Sequence, residues 1–166
     1  SRSGRLDLVV PALDGRALTA LATGAQHPSI AGIASNVVDY AARYGGERLT
    51  LHRFAAPISR LDDELASGGF RVPVSNVVAI KVDAEGMEDE VLTGASRILQ
   101  RHRPLVMAEG GHHPGPRAVM EALGFKMAEL AGDVLRPVPA PTQSVNAWYF
   151  HPSRIAEYHA LGLLAP

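Results

Sequence analysis

The sequence predicts an α/β protein built on an open, mostly parallel sheet. The main observation is a strand, a helix and a strand in succession: the apolar run 77–83, apolar residues at helical spacing from Met87, and the apolar run 105–109. A second helix at 117–123 leads to another strand at 125–130, which predicts a second crossover. Ligands of open α/β sheets bind beyond the carboxyl ends of the parallel strands. Residues at those ends are therefore the site candidates.

The amino-terminal part of the chain predicts antiparallel strands. An Asp-Gly pair at 14–15 separates two apolar runs within residues 5–22, which is the pattern of a β-hairpin. Residues 49–54 alternate between apolar and polar, as expected for a half-buried strand. Ser59 is the expected N-cap of a short helix that ends at the Gly-Gly pair 68–69.

The carboxyl-terminal part predicts one long helix, an irregular connection and a final strand. The helix after Met87 has acidic residues in its first turn and arginines late, which suits the helix dipole, and Pro104 stops it. Prolines at 137–141 indicate an irregular connection before the last strand, 145–150. A short helix is expected in the tail at 155–161.

Length and composition predict one folded domain. The chain has 166 residues, of which 46% are hydrophobic and 20% charged, which is enough to bury a core. We expect a single domain with a hairpin and variable segment at 1–48, an α/β core at 49–150 and a tail at 151–166.

Charge and residue usage exclude several classes of function. Sixteen basic against 17 acidic residues leave a net charge of -1, which disfavours nucleic acid and anionic membrane surfaces as partners. The absence of cysteine removes disulfides, thiolate metal sites and cysteine nucleophiles. No apolar run approaches the roughly 20 residues of a membrane span, so we expect a cytoplasmic protein. Abundant arginine and alanine suggest a bacterial source.

Two carboxylates and two histidines stand at the predicted site edge. Asp83 and Glu109 end the two strands of the β-α-β unit, so we expect both at the same edge of the sheet. His112 and His113 lie in the following loop, where adjacent residues point in opposite directions and at most one faces the crevice. Either residue type can orient a hydroxyl group or accept its proton.

A motif around Asp83 resembles a known family. Residues 80–88 read Ile-Lys-Val-Asp-Ala-Glu-Gly-Met-Glu, and Val91-Leu92, Gly94-Ala95, Arg103-Pro104 and Glu109 follow. The pattern resembles the carboxyl-terminal half of the FkbM family of S-adenosylmethionine-dependent methyltransferases. Upstream, Leu61-Asp62-Asp63 is similar to the short Leu-Asp-Asp helix of that family, and the resemblance covers about residues 49–150.

The resemblance implies a Rossmann-like methyltransferase sheet and transfer of a methyl group to a hydroxyl of a small molecule, such as a sugar or a secondary metabolite. It implies cofactor contacts from Asp83, Glu85 and Gly86, and catalysis by Asp83 with help from Glu109 or one of His112 and His113. Whether the protein forms a homo-oligomer stays open.

Part of the family pattern is absent from the sequence. The resemblance implies a glycine-rich loop beneath the methionine of the cofactor and an acidic residue for its ribose, but no strand here leads into a Gly-x-Gly pattern. We therefore expect a sheet that is incomplete at its amino-terminal half, an upstream segment that supplies the loop, and weak or no binding of S-adenosylmethionine by this chain alone. The alternative is a non-catalytic, methyltransferase-like binding or assembly module.

The site residues also have structural interpretations. Asp83 could cap the following helix or neutralise Lys81, while Glu85 and Glu88 could simply favour a helix amino terminus. A divalent cation that bridges Asp83, Glu109 and the acceptor oxygen is a further alternative, as in catechol-type methyltransferases, and its oxygen ligands would suit Mg²⁺.

Overall fold

The computed structural model describes seven stretches of the chain: residues 4–17, 23–24, 49–69, 76–84, 86–110, 113–139 and 144–165. The chain forms two compact units, one from residues 2–59 with 85–87 and one from residues 60–84 with 88–166. Within the described residues, no helix combines the length and the apolar character needed to cross a membrane. The prediction of a single domain over the whole chain stays a prediction.

The first unit contains an antiparallel sheet. Its strands are β1 (Gly4–Leu13), β2 (Arg16–Ala17), β3 (Thr23–Gly24) and β4 (Leu49–Ile58), and β1 pairs with each of the others. Asp14 and Gly15 join β1 to β2 with φ of 49° and 78°, the left-handed pair that a tight hairpin turn requires. The hairpin predicted from the Asp-Gly pair is therefore confirmed, and β4 extends beyond the predicted strand 49–54.

The second unit contains all the described helices. In chain order its elements are α1 (Leu61–Ser67), β5 (Ala79–Val82), α2 (Glu88–Gly94), α3 (Ser96–His102), β6 (Leu105–Glu109), α4 (Pro114–Ala122), β7 (Lys126–Ala131), β8 (Val134–Pro137), β9 (Asn146–Phe150), a short 3-10 helix (Pro152–Arg154) and α5 (Ile155–Ala160). The α/β class, the β-α-β unit, the last strand and the tail helix are confirmed.

The sheet of the second unit is mixed. Its strand order is β5-β6-β9-β7-β8, in which β5 and β6 are parallel and the other neighbours are antiparallel. The prediction of a mostly parallel sheet is therefore wrong for the described strands. The reason is that β9 lies between β6 and β7, which run in the same direction, and pairs antiparallel with both. The second crossover exists, but it skips one position in the sheet.

A near-continuous apolar run such as 77–83 predicts a strand covered on both faces, and this prediction is wrong. β5 has β6 as its one described neighbour, and Ala79 and Lys81 are exposed. The irregular connection predicted at the prolines 137–141 is confirmed for the described residues after Pro137, but the sequence analysis missed β8 (Val134–Pro137), which pairs with β7. Pro137 fits there because it is the last residue of a strand at the end of the sheet order.

Side chains cover both faces of this sheet. Tyr149 and Phe150 are neighbours on β9, so they point to opposite faces, and each belongs to a different buried cluster. The larger cluster packs α2, α3 and α4 onto the sheet and consists of Val82, Leu92, Ala95, Leu99, Val106, Ala108, Met120, Phe125, Met127, Ala147 and Tyr149. The smaller cluster places α5 and the tail on the other face, through Ala128, Leu135, Phe150, Tyr158 and Leu164.

A buried carboxylate divides the helix that was predicted as continuous. The side chain of Asp62, which is fully buried, accepts hydrogen bonds from the backbone N–H groups of Arg97 and Ile98, each at 3.0 Å. These are N–H groups of the first turn of α3, which have no partner within their own helix. The chain therefore turns at Ala95 and starts a new helix, with Asp62 of α1 as its cap.

The N-cap predicted for α1 is also wrong. Arg60, not Ser59, occupies the N-cap position, and its side chain makes no capping hydrogen bond. The helix starts at Leu61, one residue later than the sequence suggests, which places Asp62 where it reaches α3. The predicted carboxyl end is confirmed, because Gly68 adopts φ of 72° and closes α1.

The turn between α3 and β6 is held by the tail. Arg103 adopts φ of 48° at the end of α3, and its backbone N–H donates to the carbonyl oxygen of Leu99 at 2.9 Å. The guanidinium of Arg154 donates to the carbonyl oxygens of His102 and Arg103 at 3.4 and 3.1 Å, and the hydroxyl of Tyr158 donates to the latter at 3.4 Å. The Arg-Pro pair at 103–104 therefore has a structural role in this fold.

We predict that Asp62→Ala lowers the free energy of unfolding by about 2 to 3 kcal/mol, because it removes a buried, charged acceptor of two backbone N–H groups. Asp63→Ala is the matched control. Asp63 pairs with Arg97 at 2.6 Å but is half exposed, so its loss should cost less than about 1 kcal/mol. Urea denaturation of both variants measures the difference, and equal losses would contradict a capping role for Asp62.

We predict that Tyr149→Phe leaves the free energy of unfolding unchanged or raises it by up to about 1 kcal/mol. Among the described residues, the buried hydroxyl of Tyr149 has no hydrogen-bond partner, and burial raises the pKa of Tyr149 to about 12. Tyr158→Phe is the control, since its hydroxyl bonds to Arg103, and it should lose about 0.5 to 1 kcal/mol. Urea denaturation tests both, and a loss of more than about 1 kcal/mol in Tyr149→Phe would reveal a partner for this hydroxyl.

Candidate functional site

The ends of β5 and β6 bring the two predicted carboxylates together. The strands pair in parallel with Val82 opposite Ala108, so Asp83 and Glu109 follow at the same level of the same sheet edge. Their side chains also interact, because a hydrogen bond with Glu109 is one of the causes that lower the pKa of Asp83. The predicted position of the pair is confirmed, whereas the roles of its members stay predictions.

Lys81 completes a cluster of three charged groups. Its Nζ lies 2.7 Å from Oδ2 of Asp83, and the two side chains are 61% and 38% exposed. The hydrogen bond from Lys81 is the main cause that lowers the pKa of Asp83, ahead of the bond with Glu109. The same bond raises the pKa of Lys81. Asp83 is therefore held as a carboxylate at neutral pH.

The turn after Asp83 is fixed by a buried glutamate. Glu88 is 4% exposed, and its Oε1 accepts a hydrogen bond from the backbone N–H of Ala84 at 3.0 Å. This bond ties the residue after Asp83 to the start of α2, where an acidic side chain also suits the helix dipole. The contact supports the structural interpretation of Glu88.

The structure describes one of the two predicted cofactor residues beyond Asp83. Gly86 adopts φ of 91°, a left-handed conformation that favours glycine, and its proposed contact with the cofactor stays a prediction. Glu85 lies outside the described residues.

One predicted histidine lies next to the site edge. His113 directly precedes α4, is exposed, and donates its backbone N–H to the carbonyl of Gly110 at 2.8 Å. Its ring packs so closely on Gly110 that a Cβ atom there would lie 2.8 Å from Cδ2 of the ring. Because Gly110 follows Glu109, this contact brings His113 to the end of β6. His112 lies outside the described residues.

The pairing of Asp83 with Lys81, one of the structural interpretations of Asp83, is confirmed, whereas sequence reasoning missed the capping role of Asp62. The position of Lys81 two residues before Asp83 is a usable signal, since alternate residues of a strand share one face. Asp62 had no local signal, because its partners in α3 are distant in the sequence. Among the described residues, no group of three or more side chains is arranged to hold a metal ion.

A groove lies elsewhere in the second unit. It encloses about 280 Å³ between α1 and α3 and is lined by Asp62, Leu65, Ala66, Arg97, Ile98, Arg101 and His102. It contains none of the predicted site residues. We place the candidate site at the strand ends, because charged groups that can act on a ligand converge there. In the groove, the carboxylate of Asp62 already accepts a backbone hydrogen bond from α3.

Comparison with known proteins gives one match. A family model described as the methyltransferase FkbM domain matches residues 24–136, which is more than half of the chain and includes every predicted site residue. No curated protein and no solved structure matches the chain.

We predict that the carboxyl group of Asp83 titrates below the ordinary aspartate value of about 3.9, because Lys81 stabilises the charged form. A depressed pKa in the folded state contributes stability above the unfolded pKa, and this contribution is lost as the pH falls through the folded pKa. Carboxyl ¹³C NMR during an acid titration measures the midpoint, with Asp83→Asn to assign the signal. A midpoint at or above the ordinary value would contradict the ion pair.

Proposed function

The chain belongs to the FkbM methyltransferase family, and from this premise we propose that it transfers a methyl group from S-adenosylmethionine to a hydroxyl oxygen of a small molecule, such as a sugar or a secondary metabolite. The observation that carries the proposal is the interacting pair of carboxylates at the ends of two parallel strands, Asp83 and Glu109. Ligands of open α/β sheets bind at this edge.

The carboxylates supply what an acceptor hydroxyl requires. A carboxylate oxygen accepts the hydrogen bond of the hydroxyl, which orients the oxygen lone pair, and can take the proton as the new C–O bond forms. Asp83 is the first candidate for this role, since Lys81 holds it in the charged form. Glu109, at the end of the neighbouring strand, and His113, next to Gly110, are the candidates to assist.

The charge of this edge fits the cofactor. S-adenosylmethionine, when bound, supplies a methyl group on a positively charged sulfur that is already activated for transfer. Two acidic groups and one basic group stand at the edge, and an excess of acidic groups suits a cationic ligand. Asp83, Glu85 and Gly86 are the residues proposed to contact it.

The exposure of the edge supports a small acceptor from solution. Asp83 keeps 38% of its side chain exposed, and His113 is also exposed. A hydroxyl group can therefore reach the carboxylate without prior opening of the core.

We predict that Asp83→Asn lowers the turnover of methyl transfer by about 10² or more, because the amide keeps the size of the side chain but cannot accept the proton. The assay follows the methyl group of [methyl-¹³C]S-adenosylmethionine into a panel of sugars and hydroxylated polyketides, where NMR distinguishes O-methyl from N-methyl and C-methyl products. Asp133→Asn, in the exposed turn between β7 and β8, is the control.

The assay tests the role of Asp83 and the enzyme activity separately. Circular dichroism and thermal melting establish that both variants keep the fold. Wild-type turnover in Asp83→Asn would remove this residue from the mechanism. Absence of any transfer by the wild-type protein that includes the expected upstream segment, with cofactor in excess, would count against the enzyme and favour a binding module.

A further inference from the structure

Two acidic side chains and one basic side chain lie at one sheet edge in this protein. Asp83 and Glu109 follow strands that pair in register, and their side chains interact. A cation next to a carboxylate favours its charged form and can hold it in one orientation. Lys81 is the cation that the structure places against this pair.

Strand geometry places Lys81 on the same face of the sheet as the side chains of Asp83 and Glu109. Lys81 and Asp83 are two residues apart, so they point to the same side of the sheet. Lys81 also pairs with Met107, which lies two residues before Glu109. Attraction by Asp83 and, more weakly, by Glu109 raises the pKa of Lys81, which shows that its ammonium group is within electrostatic reach of both.

We propose that Lys81 is a positioning residue of the site: its ammonium group fixes the carboxylate of Asp83 beside Glu109. The distance of 2.7 Å between Nζ and Oδ2 is that of a strong, charge-assisted hydrogen bond. Lys81 needs no contact with the acceptor or the cofactor. Its role in turnover rests on the proposed function, whereas its effect on Asp83 does not.

The competing interpretation is an ordinary surface ion pair. Both side chains are partly exposed, and exposed pairs contribute little to folding stability. A surface pair without further role predicts that loss of Lys81 changes neither the melting temperature nor turnover. A positioning role predicts an unchanged melting temperature together with a higher pKa of Asp83 and a lower turnover.

The chain offers a matched control. Lys126 is the other lysine of the sequence and is also exposed on a strand of the same sheet. No ion pair of Lys126 occurs within the part of the chain that the structure describes. Lys81→Met and Lys126→Met therefore remove the same charge from the same sheet, and they differ in whether Asp83 loses its partner.

The first experiment is independent of methyl transfer. Carboxyl ¹³C NMR of the full chain, in the presence of a metal chelator, follows the titration of Asp83 in the wild type and in Lys81→Met, Lys81→Arg and Lys126→Met. Removal of the ammonium group should raise the pKa of Asp83 in Lys81→Met, Lys81→Arg should restore a low value, and Lys126→Met should leave it unchanged. An unchanged titration in Lys81→Met, or an equal shift in Lys126→Met, overturns the proposal.

The second experiment tests the consequence for catalysis. Lys81→Met should lower kcat by roughly tenfold or more with little change in the KM of the acceptor, because misplacement of a catalytic group affects the chemical step. Lys81→Arg should recover part of kcat, and Lys126→Met should equal the wild type. Wild-type kcat in Lys81→Met overturns the positioning role. Absence of transfer by the wild-type protein that includes the expected upstream segment refutes the proposed function instead, and the titration still decides whether Lys81 controls Asp83.

Discussion

The parallel pairing of β5 with β6 is the constraint on which the site depends. Asp83 and Glu109 are far apart in the sequence, and they become neighbours because a helical crossover returns the chain to the same edge of the sheet. The crossover is anchored by apolar packing, since Leu92 and Leu99 of the helices are completely buried against Val106 of β6. The hydrophobic core therefore creates the site geometry, and the charged residues make use of it.

The motifs that resemble the FkbM family divide into two physical roles. Asp62 and the Arg-Pro pair at 103–104 stabilise opposite ends of α3, the first by accepting N–H groups and the second through a turn held by Arg154. Residues at the edge of the sheet contribute little to packing, because Lys81 and Asp83 remain partly exposed. A motif shared with a family thus includes residues that hold the fold as well as residues that can act on a ligand.

The electrostatic balance at the edge explains how a polar site can exist at low cost in stability. Neither member of the ion pair between Lys81 and Asp83 is buried, so neither loses most of its hydration. By contrast, Asp62 is fully buried and is satisfied by two backbone N–H groups and by arginines. The fold therefore buries the carboxylate that it needs for structure and leaves at the surface the carboxylate that can meet a substrate.

The sequence by itself determined the local features of this protein, because they depend on neighbouring residues. These are the hairpin at Asp14 and Gly15, the β-α-β unit and the strand-end positions of Asp83 and Glu109. Only the tertiary structure decided the mixed sheet, in which β9 lies between β6 and β7, and the division of one predicted helix at Ala95. Both outcomes depend on partners distant in the sequence, for which local periodicity carries no signal. The same holds for Asp62, whose function as a cap exists only once α1 and α3 have packed together.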